Sequence, residues 1–211
     1  LRELERVLAE RPLPPPLPPR PIPGVVGNRT HSTFHVPKVS LFPNSTQGVP
    51  MFWECGSNGG RLVGQVVGKA SDPPVVLLHG GGQTRHAWVE TGAVLASKKF
   101  CAIVLDMRGH GDSFWDADAQ YLWGDFAQDL DRFVAAAGLT QRMPVLVGFS
   151  LGGLTSLGSA IGQSPDLGAL VLVDVTPKME HGGVNRILEW MESTAASGFE
   201  TLDEARKSVA Q

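Results

Sequence analysis

The chain has 211 residues, of which 42% are hydrophobic and 18% charged, and its formal net charge is −3. That length suits one or two domains with a full-sized core, and the composition excludes a disordered polyelectrolyte and a basic nucleic-acid binder. No apolar run approaches the roughly 18 residues of a membrane span, so a soluble protein is expected.

The first residue is Leu1, opening the charged segment LRELERVLAE with Leu1, Leu4, Val7 and Leu8 on one helical face. Ten residues make a marginal helix in water, so a frayed tail is expected, and no signal peptide is read there. Half of the 16 prolines then fall between Pro12 and Pro23. Each ring fixes φ and removes a backbone donor, so this stretch is expected as extended polyproline II. It reads as a spacer, while Pro15, Pro18 and Arg20 also match the PxxPxR pattern that an aromatic-lined groove on a partner holds. Residues 25–49 are mostly polar and irregular, and their two N-x-T sequons, at Asn28 and Asn44, read as chance matches. Residues 1–49 are thus expected as an irregular extension.

From Met51 onward the pattern changes. MFWEC (51–55) and LVGQVV (62–67) flank a GSNGG turn and predict a hairpin. VVLLH (75–79), CAIVLD (101–106), VLVGF (145–149) and ALVLVD (169–174) are apolar runs without alternation, the pattern of strands buried on both faces of a parallel sheet. Helical periodicity separates them: Phe126, Leu130, Phe133, Val134 and Ala137 form one stripe, and Leu151, Leu154, Leu157 and Ile161 another. Strand alternating with helix predicts an α/β architecture with helices on both faces of a mostly parallel sheet, over residues 50–175. Residues 176–211 break that rhythm. Val184, Ile187, Leu188 and Met191 predict an amphipathic helix, and LDEARKSVA (202–210) starts another, so this part reads as a helical insertion. Cys55 and Cys101 lie in strand-like surroundings, which fits a reducing, cytoplasmic setting better than a disulfide scaffold.

Three turns carry the chemistry. In Gly148-Phe149-Ser150-Leu151-Gly152-Gly153, a serine sits between a strand and a helix, where only small neighbours let a sharp turn close. Its hydroxyl would stand at a helix N-terminus, beside the Leu151 amide, a donor suited to a developing oxyanion. His79-Gly80-Gly81-Gly82 follows a buried strand directly; glycines there can turn backbone amides toward a ligand, with Gly81 the first choice of donor and Gly82 the second. In Asp106-Met107-Arg108-Gly109-His110-Gly111-Asp112-Ser113, His110 and Asp112 suggest a catalytic pair or a metal site. Two glycines in eight residues favour instead a packed turn held by Asp106 and Arg108.

HGGG after one strand, DMRGHGDS after the next and GFSLGG at the serine turn stand in the order and spacing of the α/β-hydrolase superfamily. The chain resembles its lidded branch of esterases, epoxide hydrolases and cofactor-free haloperoxidases over roughly residues 50–211. The resemblance implies Ser150 as nucleophile, an oxyanion hole from Gly81 and Leu151, and a helical lid entering after the sixth strand, where 176–211 lie. Epoxide hydrolases of this branch use aspartate as nucleophile, so Ser150 points to acyl transfer on a small-molecule ester or related substrate. Asp174, at the end of the sixth strand, is a candidate for the triad acid; the other reading is an aspartate that caps the strand and holds the lid connection through Thr176. The family's histidine follows its eighth strand, and none of His31, His35, His79, His86, His110 and His181 takes that position. The sequence therefore reads as the earlier part of the fold, ending before the last two strands. No metal or organic cofactor is implied, since there is no Cys/His cluster with ligand spacing and no GxGxxG opening a helix. Trp88, Phe114, Trp115, Phe149 and Trp190 line a pocket or fill the core, and most are expected in the core.

Overall fold

The computed structural model describes residues 50–55, 59–162, 166–176, 186, 189–193 and 198–209. The proline-rich arm with Pro15, Pro18 and Arg20, both sequons, His31, His35 and His181 lie outside the described residues, as do Val184, Ile187 and Leu188 of the expected amphipathic helix. Six strands form one sheet: β1 (Pro50–Glu54), β2 (Arg61–Val67), β3 (Pro74–Leu78), β4 (Cys101–Asp106), β5 (Val145–Phe149) and β6 (Ala169–Val173), in the spatial order β1-β2-β4-β3-β5-β6. β1 and β2 pair antiparallel, as the hairpin signal predicts, and β2 runs antiparallel to β4. β4, β3, β5 and β6 are mutually parallel.

Among the described residues, helices α1 (Val89–Ser97), α2 (Trp123–Ala136), α3 (Leu151–Ile161) and α4 (Leu202–Val209) accompany the sheet, a short 3-10 turn at Arg85–Trp88 leads into α1, and residues 189–193, with Met191 of the expected amphipathic helix, are also helical. Alternate residues of the central strands serve opposite faces, because side chains on a strand have a period of two. Val76, Leu78, Ile103 and Leu105 pack with Phe126, Leu130, Phe133 and Val134 of α2, whereas Val75, Leu77, Ala102 and Val104 meet Leu95 and Ala96 of α1. Both faces of the centre are therefore covered, which is why every residue of β3 and β4 is buried. Trp53 joins the hairpin to α2 through an edge-on contact with Phe133, ring centroids 4.9 Å apart. Cys55 and Cys101 are both buried free thiols.

β6 forms where ALVLV predicts a strand and, as the last described strand, it has no residue fully buried. One expectation changes. The leucine stripe of α3 is not its buried face: Gly152, Gly153, Thr155, Ser156 and Ser159 are buried beside Leu154, while Ile161 is half exposed. α3 lies so close to its neighbours that small residues must form the contact. A side-chain carbon on Gly158 would press on the Trp123 ring of α2, and Ser159 donates to Asp131 of α2 at 2.6 Å. After β6, α4 lies where LDEARKSVA predicts a helix. No described helix is long and apolar enough to cross a membrane.

Candidate active site

The sheet order sets the location. From β3 the chain moves to β4 on one side, then crosses back so that β5 lies on the other side of β3. At such a reversal the two loops leaving the carboxyl ends separate and open a crevice, the usual ligand position of open α/β sheets. Leu78 is in register with Gly148, so the turns after β3 and β5, residues 79–82 and 149–152, emerge side by side.

Ser150 occupies the tip of the second turn, half-buried, at φ +48° and ψ −113°. A side chain at positive φ is a strained arrangement that persists only where the surroundings enforce it. Here the enforcement is backbone on backbone. The Ser150 amide donates to the Val173 carbonyl of β6 at 3.0 Å, and the Ser150 carbonyl accepts from Leu154 at 3.0 Å as α3 begins. A Cβ on Gly148 would collide with the backbone of Gly152 and Gly153, and one on Gly152 with the carbonyl oxygens of Leu78 and His79. Ser150 is the N-cap of α3, but its hydroxyl makes no capping bond, so it remains available. The Leu151 amide, in the first turn of α3, has no carbonyl partner inside the helix and carries the positive end of the helix dipole.

The first turn is anchored at its two flanking glycines and at the His79 ring. The Gly80 amide donates to Gln83 Oε1 at 3.0 Å, and the Gly82 amide donates to His110 Nε2 at 3.1 Å. His79 Nδ1 lies 2.8 Å from the Gly80 carbonyl, while its Nε2 accepts from the Met107 amide at 3.1 Å. Since Nε2 accepts, Nδ1 must carry the proton and donate, which makes His79 a neutral ring with both nitrogens used. Burial pushes its pKa down to about 4, as expected for an imidazole with no room for charge. Gly82, the second choice of oxyanion donor, is therefore committed to His110. Gly81 differs: its amide has no acceptor among the described residues, and the space beside its Cα is open. Gly80 has no such space, because the Phe149 ring fills it.

The third turn is the packed structure expected from its glycines. The buried Asp106 carboxylate accepts from the Arg85 amide at 2.6 Å, from the Arg85 guanidinium and from the Asp112 amide at 3.1 Å. A Cβ on Gly111, at φ +51°, would strike that carboxylate. Arg108 is 1% exposed and forms a two-pronged pair with Asp129 of α2, both bonds at 2.7 Å. Ser113 ties the turn to β2 by accepting from the Val63 amide at 2.8 Å. Asp112 pairs with Arg85 at 2.8 Å and makes no pair with His110 among the described residues. No group of three His, Cys, Asp or Glu side chains with metal-binding geometry occurs among the described residues.

Asp174 follows β6 at φ +52°, exposed, next to the strand residue that holds the Ser150 amide. No described histidine hydrogen-bonds to it or to Ser150. The aromatic residues divide: Phe114 and Trp88 pack against the two core clusters, Phe149 lies against Gly80, and Trp115 and Trp190 are largely exposed rather than core. The residue that sequence reasoning under-read is His110. Its contact to Gly82 spans 28 residues and arises because β3 and β4 are parallel neighbours, so their carboxyl-end turns meet.

The chain is 41% identical over 111 residues to an esterase of Mycobacterium tuberculosis, a match covering 51% of this chain and 34% of that protein. It is 29% identical over 136 residues to protein phosphatase methylesterase 1 of Mus musculus, covering 63% and 35%. The chain thus spans about a third of the length of these curated relatives. Among solved structures, an alpha/beta hydrolase from Novosphingobium aromaticivorans superposes with a TM-score of 0.60 at 30% identity, over 72% of this chain and 56% of that one. The model of the alpha/beta hydrolase fold matches residues 73–206, more than half of the sequence, and the chain belongs to that family.

Proposed function

We propose that the protein is a serine hydrolase that cleaves a carboxylic ester or related acyl substrate through an acyl-enzyme on Ser150. The observation that carries this reading is the serine turn itself: a strained, non-capping hydroxyl at the head of α3, where the turn after β5 emerges beside the turn after β3. A turn serving only to connect strand and helix would not need a non-glycine residue at φ +48°. The relatives bearing esterase and methylesterase names support the same reaction class.

In the proposed reaction Ser150 Oγ attacks the acyl carbon while its proton passes to a histidine base, a role that none of the described histidines fills and that the family gives to a residue after its eighth strand. The carbonyl π pair moves onto oxygen, and the Leu151 and Gly81 amides donate to that oxyanion. The intermediate collapses as the C–O bond to the alcohol breaks and the base returns its proton to the leaving oxygen. Water then attacks the acyl-enzyme by the same route, releasing the acid and restoring the serine. Asp174 is the acid assigned to orient the base, from its position beside the serine turn. Residues 176–211 supply the start of a lid over the crevice, and Met191 reaches the edge of the site near Gly82.

A second reading has one observation in its favour. His79 and His110 have both ring nitrogens committed to backbone groups, and neither pairs with Ser150. A non-catalytic member of the fold that binds acyl compounds would look the same. A fluorophosphonate probe on the full-length protein separates the two: the hydrolase reading expects covalent labelling that Ser150→Ala abolishes, with turnover lowered on the order of a million-fold. Absence of labelling, or equal labelling of Ser150→Ala, refutes it.

A further inference from the structure

Among the amides of the glycine turn after β3, two are taken. Gly80 uses its amide on Gln83 and its carbonyl on His79, with the Gln83 amide also donating to that carbonyl at 3.2 Å. Gly82, at φ +73°, gives its amide to His110. Only Gly81, between these two anchors, keeps an amide without an acceptor among the described residues. Each anchor removes one way for a glycine-rich turn to relax, and three successive glycines have more conformational freedom to lose than any other tripeptide.

We infer that His110 is a positioning residue for the oxyanion turn: its neutral imidazole takes the Gly82 amide at Nε2 and so holds the Gly81 amide in place for the substrate oxygen. The inference rests on the serine-hydrolase reading above and adds a residue outside the triad and the two donors. The tautomer follows from the contacts. Nε2 faces an N–H and must present its lone pair, so Nδ1 carries the proton and donates to the Arg108 carbonyl at 2.8 Å. The ring is half-buried and tilted against His79, centroids 4.8 Å apart, which fixes its plane.

The same contact gives the turn a dependence on protonation. A protonated His110 would set an N–H against the Gly82 N–H, donor against donor, and the turn would have to move away. The charged and titratable groups around the ring are His79 at the end of β3, Asp106 at the end of β4, Arg85 from the 3-10 turn, and Arg108 and Asp112 of its own turn. Met191, near Gly82, is uncharged. Asp106 is paired with Arg85 and Asp129 with Arg108, and although the Asp106 charge and the Arg108 carbonyl still favour an imidazolium, burial outweighs both. Burial holds the His110 pKa below its ordinary value, which keeps the acceptor form dominant at neutral pH.

The test uses His110→Leu, which removes the acceptor, and His110→Gln, whose Oε1 reaches about as far as Nε2 and does not titrate. The readouts are the second-order rate of Ser150 labelling by a fluorophosphonate between pH 5 and 8, and the amide nitrogen shift of Gly82. At pH 8 His110→Leu should label about ten- to a hundredfold more slowly than the parent, short of the 10²–10³ cost of deleting an oxyanion donor outright. His110→Gln should restore the rate. On acidification the Gly82 amide shift should follow the titration of His110 in the parent and stay flat in His110→Gln. A parent that is not labelled at all overturns the serine-hydrolase reading beneath this one. A parent that is labelled, with His110→Leu reacting equally fast or a Gly82 amide indifferent to pH, overturns the role of His110 alone.

Discussion

Acidification should destabilise the protein through His79 by an amount that can be worked out beforehand. The ring is fully buried and neutral, accepting from Met107 and donating to Gly80, and its pKa lies near 4 against an ordinary 6.5. The unfolded chain therefore binds a proton at a pH where the folded chain does not. For such a depressed histidine the stabilisation is fully present above about pH 6.5 and is lost as pH falls toward 4. Integrating between those two pKa values, the folded state loses about 2 kcal/mol between pH 7.5 and 5.0, approaching a limit of about 3 kcal/mol at lower pH. His79→Gln supplies the reference, because its amide can accept from Met107 but does not titrate. Urea unfolding of both proteins at half-unit pH steps gives two stability curves, and their difference cancels the carboxylates and His110, which the two share. The parent should lose about 2 kcal/mol more than the variant over that range. A flat difference, or a variant that loses more than the parent, would show that His79 is not held neutral by the fold.

Further outcomes follow from the same geometry. Ser150→Gly should raise thermal stability while abolishing labelling, since relief of about 1–3 kcal/mol of strain exceeds the added chain entropy of glycine by about 1 kcal/mol, or 2–4 °C in Tm; Ser150→Ala keeps the Cβ and should not gain. Equal melting temperatures for the glycine and alanine variants would contradict the strain. Gly152→Ala places a methyl against the Leu78 and His79 carbonyls, so calorimetry should show a loss of about 1–3 kcal/mol, with labelling slowed as the serine turn shifts. Asp129→Ala leaves the Arg108 guanidinium buried without its carboxylate and should cost about 3–5 kcal/mol in denaturant titration, far more than any exposed ion pair.

The strands, the helices of the core and the serine turn were legible in the sequence because each is specified locally. β-branched runs ending at glycines mark β3, β4 and β5, the Phe126–Ala137 stripe marks α2, and the glycines flanking Ser150 mark a turn that only small residues permit. The leucine spacing of α3 misled about its buried face because the contact distance to Trp123 and to the β3 carbonyls, invisible in periodicity, requires glycine and serine there. Trp115 and Trp190 illustrate the same limit, being large apolar residues that the fold leaves exposed over nearly half of their surface.

What the sequence by itself determined is therefore the set of elements and the chemistry at their ends: a parallel α/β core, a serine at a strained turn, and a glycine turn able to present amides. What only the tertiary structure decided is which of those amides is available. Gly80, Gly81 and Gly82 are chemically identical in the chain, and they become different because Gln83, His79 and His110 engage the two flanking residues and leave the middle one open. That distinction depends on β4 pairing beside β3 and bringing residue 110 to residue 82. Hydrogen bonds are satisfied between neighbours in space, and neighbours in space are a product of the fold.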